Sequence, residues 1–209
     1  MLETVETIHP PTNAAPRGYA TFEEYLEQSS DSRLCEWVDG EIITMPGASF
    51  EHQTLSGFLL KVIGLYVESR DLGVVVASPF AMKLEAQRRG REPDVLFVGK
   101  DKFDLIKKNY LDGAADLVIE IVSPESVGRD RGEKFVEYEA ARIREFWLID
   151  PTRRQAEFYN LNDDGIYHLT NIAGGVYHSN VLPEFFLRVE WLWEKSLPTI
   201  GALKELKSI

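Results

Sequence analysis

At 209 residues, 44% hydrophobic and 27% charged with four tryptophans, the chain can build one cored domain, and no stretch approaches the roughly 20 uninterrupted apolar residues of a membrane-spanning helix. A single cysteine, Cys35, excludes an internal disulfide and suits a reducing cytoplasm. The formal charge of −11 argues against a polyanionic partner, but residues 1–51 hold ten acids and two bases, which leaves only −3 for residues 52–209.

The first 18 residues, acidic and proline-containing, read as a flexible leader without the basic-then-apolar pattern of a signal peptide. "TFEEYLEQ" (21–28) predicts a short helix in which Thr21 and Glu24 form a capping box. "RLCEWVDGEIITM" predicts a hairpin turned by Asp39-Gly40. From Glu51 to about Ser69, Leu55, Leu59, Ile63 and Tyr66 recur at helical spacing. Short strands are expected at 74–85, 94–99, 116–123, 145–150 and 155–161, each bounded by Gly, Pro or charged turns. A helix capped by Asp130 is expected at 130–143, and a further hairpin after Asp163. "LPEFFLRVEWLWEK" reads as an edge strand or a packing helix, and "FFLRVEWLW" as core or interface. The order implies a mixed α/β domain over 19–195 with one central sheet, followed by a tail at 196–209.

Two acids interrupt the apolar strands. Asp94 stands at the mouth of "DVLFVG", on the face of Leu96 and Val98; Glu120 lies inside "LVIEIVS", on the face of Val118 and Val122. A carboxylate in such a place requires a cationic partner. If the strands are neighbours, the two side chains start about 5 Å apart, and a divalent ion such as Mg²⁺, which accepts one or two carboxylates plus water, relieves their repulsion. Taken singly, Asp94 also suits an exposed strand end, and Glu120 a structural salt bridge. Arg91 and Glu92, flanking Pro93 and Asp94, read as surface residues.

"PDV" (93–95), "IEIVSPES" (119–126) and "DRGEKFVEYEAARIREFWLIDP" (130–151) together resemble a bacterial branch of the PD-(D/E)XK endonuclease superfamily, over roughly residues 20–190. The resemblance implies a restriction-endonuclease-like fold, a central mixed sheet flanked by helices, and DNA cleavage with Mg²⁺ or Mn²⁺. It makes Asp94, Glu120 and the backbone carbonyl of Ile121 the metal ligands. The superfamily lysine, two residues after the second acid, is replaced here by Val122, and Lys134 on the following helix is its candidate substitute. An i,i+4 surface pair with Asp130 is the competing account of Lys134. Glu36, His52 and Tyr138 are candidate accessory residues, and Arg88, Arg89, Arg91, Arg129 and Arg131 candidate DNA contacts. Cutting both strands with one site per chain favours a homodimer. The missing Glu-X-Lys lysine and the acidic charge leave open a nuclease-like module that binds DNA or a protein without cutting.

Overall fold

A computed structural model describes residues 20–29, 34–123 and 126–209; the leader expected over 1–18 lies outside them. Helix α1 (Phe22–Ser29) begins with the expected box: the Thr21 N–H donates to Glu24 at 2.7 Å and the Glu24 N–H to Thr21 Oγ1 at 3.1 Å. Strands β1 (Cys35–Val38) and β2 (Glu41–Thr44) form the expected hairpin, with Asp39 (φ 51°) and Gly40 (φ 95°) both in the left-handed region that a two-residue turn requires. Helix α2 (Phe50–Ser69) is capped by Ser49, whose Oγ accepts from the His52 N–H, and buries the predicted Leu55, Leu59, Ile63 and Tyr66.

The segment expected as one strand over 74–85 is two. β3 (Gly73–Ala77) and β4 (Ala81–Leu84) lie in different sheets, separated at Ser78-Pro79, where proline removes a ladder donor. β5 (Arg89–Arg91), β6 (Val95–Gly99), β7 (Tyr110–Asp112), β8 (Leu117–Ile121), β9 (Glu145–Asp150), β10 (Gln155–Leu161) and β11 (Tyr167–Leu169) follow. The central mixed sheet is ordered β11-β10-β9-β8-β6-β3, with β8 and β9 parallel, and a second sheet is ordered β2-β1-β5-β4-β7. The expected central sheet is thus joined by a second large one, unforeseen because the short "RGR" and "YLD" strands that complete it carry no apolar alternation.

The pleat separates two cores. Val95, Phe97, Leu117, Ile119 and Ile121 pack with α2 on one face of the central sheet. Leu96, Val98, Val118 and Val122 face the opposite side, with Tyr138 and the β4 and β7 side chains. A helix of wide π winding (Arg129–Glu133) runs into α3 (Lys134–Ala140) on that second face. Asp130 does not cap it. Its N–H already donates to Ser126 O at 2.9 Å, so it sits inside the first turn with its carboxylate buried.

The aromatic C-terminal segment is core: β12 (Val176–His178) pairs with β13 (Phe186–Arg188), and Phe185, Leu187, Trp191 and Leu192 are buried against α2 and the sheet. The region expected as a tail contains α4 (Thr199–Glu205), whose Ala202 and Leu203 are buried. Among the described residues no helix is long and apolar enough to cross a membrane.

Candidate active site

Strands β6 and β8 are antiparallel neighbours, with Val95 opposite Ile119, and one further step along this register sets Asp94 opposite Glu120. Both side chains line a cleft of about 330 Å³ together with Glu36, His52, Glu92, Ile121, Arg129, Asp130 and Lys134. The carboxylates and the lysine, 26 and 40 residues from Asp94 in the chain, therefore converge at one end of the central sheet.

Asp94 is held through one oxygen. Its Oδ2 accepts the Ile121 N–H at 2.7 Å and lies 3.2 Å from His52 Nε2. Burial opposes the charged imidazole, but Asp94 and the Ile121 backbone outweigh it and hold the His52 pKa above its ordinary value. The histidine on the inward stripe of α2 thus bonds the strand-mouth acid, and the carbonyl expected as a metal ligand belongs to a residue that already touches both.

Glu120 is almost fully buried. The Tyr138 hydroxyl donates to its Oε1 at 2.6 Å, and Lys134 Nζ lies 2.9 Å from its Oε2. Burial pushes Glu120 up to about 8; Lys134 opposes the rise, while Asp130, Asp94 and Glu36 add to it. Lys134 is no surface pair. Its Nζ sits among three carboxylates, with Glu36 Oε1 at 3.0 Å and Asp130 Oδ1 at 3.3 Å besides Glu120. Burial disfavours the ammonium, yet Glu120, Glu36 and Asp130 hold its pKa above the usual lysine value. The i,i+4 spacing to Asp130 is real; only its setting differs, because the wide winding turns both side chains into the cleft.

Glu36 reaches the site from β1. Burial would raise its pKa, but Lys134 and Arg91 override this and hold it below the usual carboxylate value. Arg91, read from sequence as a surface residue and DNA contact, is wholly buried: it bonds Glu36 at 2.6 Å and Glu137 through two nitrogens at 2.8 Å. Arg89 is held by Glu137 and Asp39, and Arg131 by Glu157 and Asp150. Arg129 lines the cleft 3.7 Å from Glu36, whereas Arg88 is exposed beside Asp39 and does not line it. Arg89, Arg91 and Arg131 are thus held by close carboxylates, while Arg129 lines the cleft with Glu36 at 3.7 Å.

Glu92 is the other correction at this site. It faces inward, bonded by the Tyr25 hydroxyl at 2.9 Å, and burial pushes it up to about 7.

Hard oxygen donors dominate the cleft. Glu92 Oε2 is buried there without a hydrogen-bond partner among the described residues, and Asp130 Oδ1 has only its 3.3 Å ion pair with Lys134. The same residues contain no group of three or more His, Cys, Asp or Glu arranged as a metal cage. Two carboxylates, a backbone carbonyl and water suit Mg²⁺, which rarely uses an all-protein cage.

A family model, Uma2, described as "Putative restriction endonuclease", matches residues 22–190. Two uncharacterised proteins of Synechocystis sp., sll1609 and slr1290, are 26% and 28% identical over 156 and 160 residues, covering 74% and 76% of this chain and 88% and 83% of their own. The crystal structure of a "putative nuclease belonging to DUF820" from Anabaena variabilis superposes with a TM-score of 0.67 at 16% identity, covering 80% of this chain and 96% of that one. That likeness establishes a shared fold.

Proposed function

Because this chain belongs to the Uma2 family of restriction-endonuclease-like proteins, a branch of the PD-(D/E)XK-like superfamily whose nucleases usually use divalent metals, we propose that it is an endonuclease hydrolysing DNA phosphodiester bonds with Mg²⁺ or Mn²⁺. The observation that carries this reading is the convergence of Asp94, Glu120 and Lys134 in one cleft. Asp94, Glu120 and the Ile121 carbonyl would hold the ion. When bound, it would lower the pKa of a coordinated water and polarise the scissile phosphate.

The chain's own groups do the rest. His52 and the Ile121 N–H fix one oxygen of Asp94 and leave the other to the cleft. Tyr138 and Lys134 hold one oxygen each of Glu120. The Lys134 ammonium provides a pre-set positive charge beside the reacting phosphate, where charge develops. Glu36 and Asp130 hold that ammonium in place. Two copies of the chain would serve to cut both strands of a duplex.

Purified protein with Mg²⁺ or Mn²⁺ is expected to nick supercoiled plasmid, and Asp94→Ala and Glu120→Ala to abolish nicking with far-UV circular dichroism unchanged. Cleavage persisting in both variants refutes the assignment. One feature favours a second reading, a module that binds without cutting: three carboxylates already neutralise Lys134. In that case calorimetric titration with Mg²⁺ or Mn²⁺ shows no binding that depends on Asp94 and Glu120.

A further inference from the structure

With Arg89, Arg91 and Arg131 held by close carboxylates, a nucleic-acid strand leaving the cleft along α2 meets other cations. A second groove of about 890 Å³ adjoins the cleft and shares Glu51 and Pro151 with it. One wall is a stripe of α2, Phe50, Thr54, Gly57 and Lys61, spaced at three or four residues; Arg154 and the Trp193–Leu197 segment form the other. Lys61, Arg154 and Lys195 are exposed, and among the described residues none has a carboxylate at ion-pair distance. Phe50, the first residue of α2, is 86% exposed.

Gly57 lies on the groove wall. A mid-helix glycine costs about 1 kcal/mol relative to alanine, and a Cβ at this position would meet nothing within 4 Å. Packing does not require glycine here. Its lack of a side chain keeps the groove open.

We propose that this groove binds an unpaired stretch of the nucleic acid whose scissile phosphate occupies the cleft, so that the preferred substrate carries a single-stranded flank. The inference rests on the nuclease reading of the cleft for its direction. Bases stack on Phe50 and Trp193 while phosphates meet Lys61, Arg154 and Lys195. A duplex keeps its base faces inside the stack, so the exposed Phe50 ring and the half-buried Trp193 offer it nothing; an unpaired strand presents a face with every base. The volume suits a few nucleotides. Glu51 and Glu194 also border the groove, so charge alone is weak and stacking provides the selectivity.

The test is fluorescence anisotropy on the full chain, in EDTA and in Ca²⁺, with three labelled DNAs: a single strand, a blunt duplex, and the same duplex with a single-stranded overhang. The overhang is expected to bind at least about tenfold more tightly than the blunt duplex, in keeping with one stacked base. Phe50→Ala is expected to remove about tenfold or more of overhang affinity and Phe50→Tyr to restore it. Gly57→Leu, which fills open space without touching the core, is expected to abolish the preference. Lys61→Gln should reduce the salt slope on single strands by about 0.7. Equal affinity for blunt and overhang DNA, or no effect of both Phe50→Ala and Gly57→Leu, overturns the proposal. So does a Phe50→Ala effect confined to self-association in sedimentation, which would make the groove a surface for a second copy. Plasmid nicking is read separately. Overhang-selective binding without nicking removes the nuclease reading and leaves the groove standing, whereas a nuclease indifferent to both groove variants does the reverse.

Discussion

Replacing Lys134 by methionine removes the cation at the centre of the cleft while retaining most of its buried volume. The ammonium lies 2.9–3.3 Å from Glu120, Glu36 and Asp130, and its side chain is 4% exposed. Removing one partner of a buried ion pair costs about 3–5 kcal/mol. The lower end applies here, because Glu36 keeps Arg91 at 2.6 Å and Glu120, already pushed up to about 8 chiefly by burial, can take a proton. A loss of about 3 kcal/mol corresponds to a fall in Tm of roughly 6–12 °C for a chain of this size. The sign of its pH dependence follows from the same carboxylates. Without the ammonium the Glu120 pKa rises further above its unfolded value and Glu36 loses part of what holds it down, so the folded variant binds more protons than the wild type and the loss grows as pH increases. Thermal melts at pH 5.5 and 8.5 should therefore show the larger deficit at pH 8.5, and plasmid nicking should fall by about 10²-fold or more, the scale of losing one fixed charge stabiliser. A Tm change below 2 °C at both pH values, or nicking at the wild-type rate, would refute the argument that this ammonium holds the carboxylates together and serves the phosphate.

Arg91→Met should destabilise the fold by about 3–5 kcal/mol in urea unfolding, because Glu36 and Glu137 lose a wholly buried partner; Arg91→Lys should restore only part of this, lacking the planar fork that bonds Glu137 twice. Asp116 is fully buried; burial would raise its pKa, but Lys102, the Gly99 N–H and Arg144 lower it below the usual carboxylate value. Its contribution is present above the unfolded pKa of about 3.9 and lost as pH falls through the folded one, so urea unfolding at pH 7 and pH 3 should show Asp116→Asn costing more at pH 7, and an equal cost at both would contradict the sign.

Charge and apolar spacing marked two acids of the candidate site, while Lys134 and the Ile121 carbonyl came only from the family resemblance. Capping residues located α1, the Asp39-Gly40 pair located the β1–β2 turn, and the 3–4 spacing located α2 with its inward stripe. Two isolated acids in apolar strands marked Asp94 and Glu120, since a buried carboxylate needs a reason and solvent supplies none. Arg91, Glu92 and Asp130 were misread for a shared reason. Each is a charged residue beside a turn or a proline, where local pattern favours the surface, and only packing from elements remote in sequence closes over it. Arg91 is enclosed by β1 and α3 residues 55 and 46 positions away.

By itself, then, the sequence determined the mixed α/β class, the strand faces and the two acids, because those follow from interactions within a few residues and from a side-chain period of two. Tertiary structure alone decided that the "VVVASPFAMKLE" segment divides between two sheets and that the wide turn before α3 faces Lys134 inward. It also decided that most of the arginines beside the cleft answer to carboxylates. These are long-range charge pairings in a desolvated interior, and their energies depend on which distant residues share that interior.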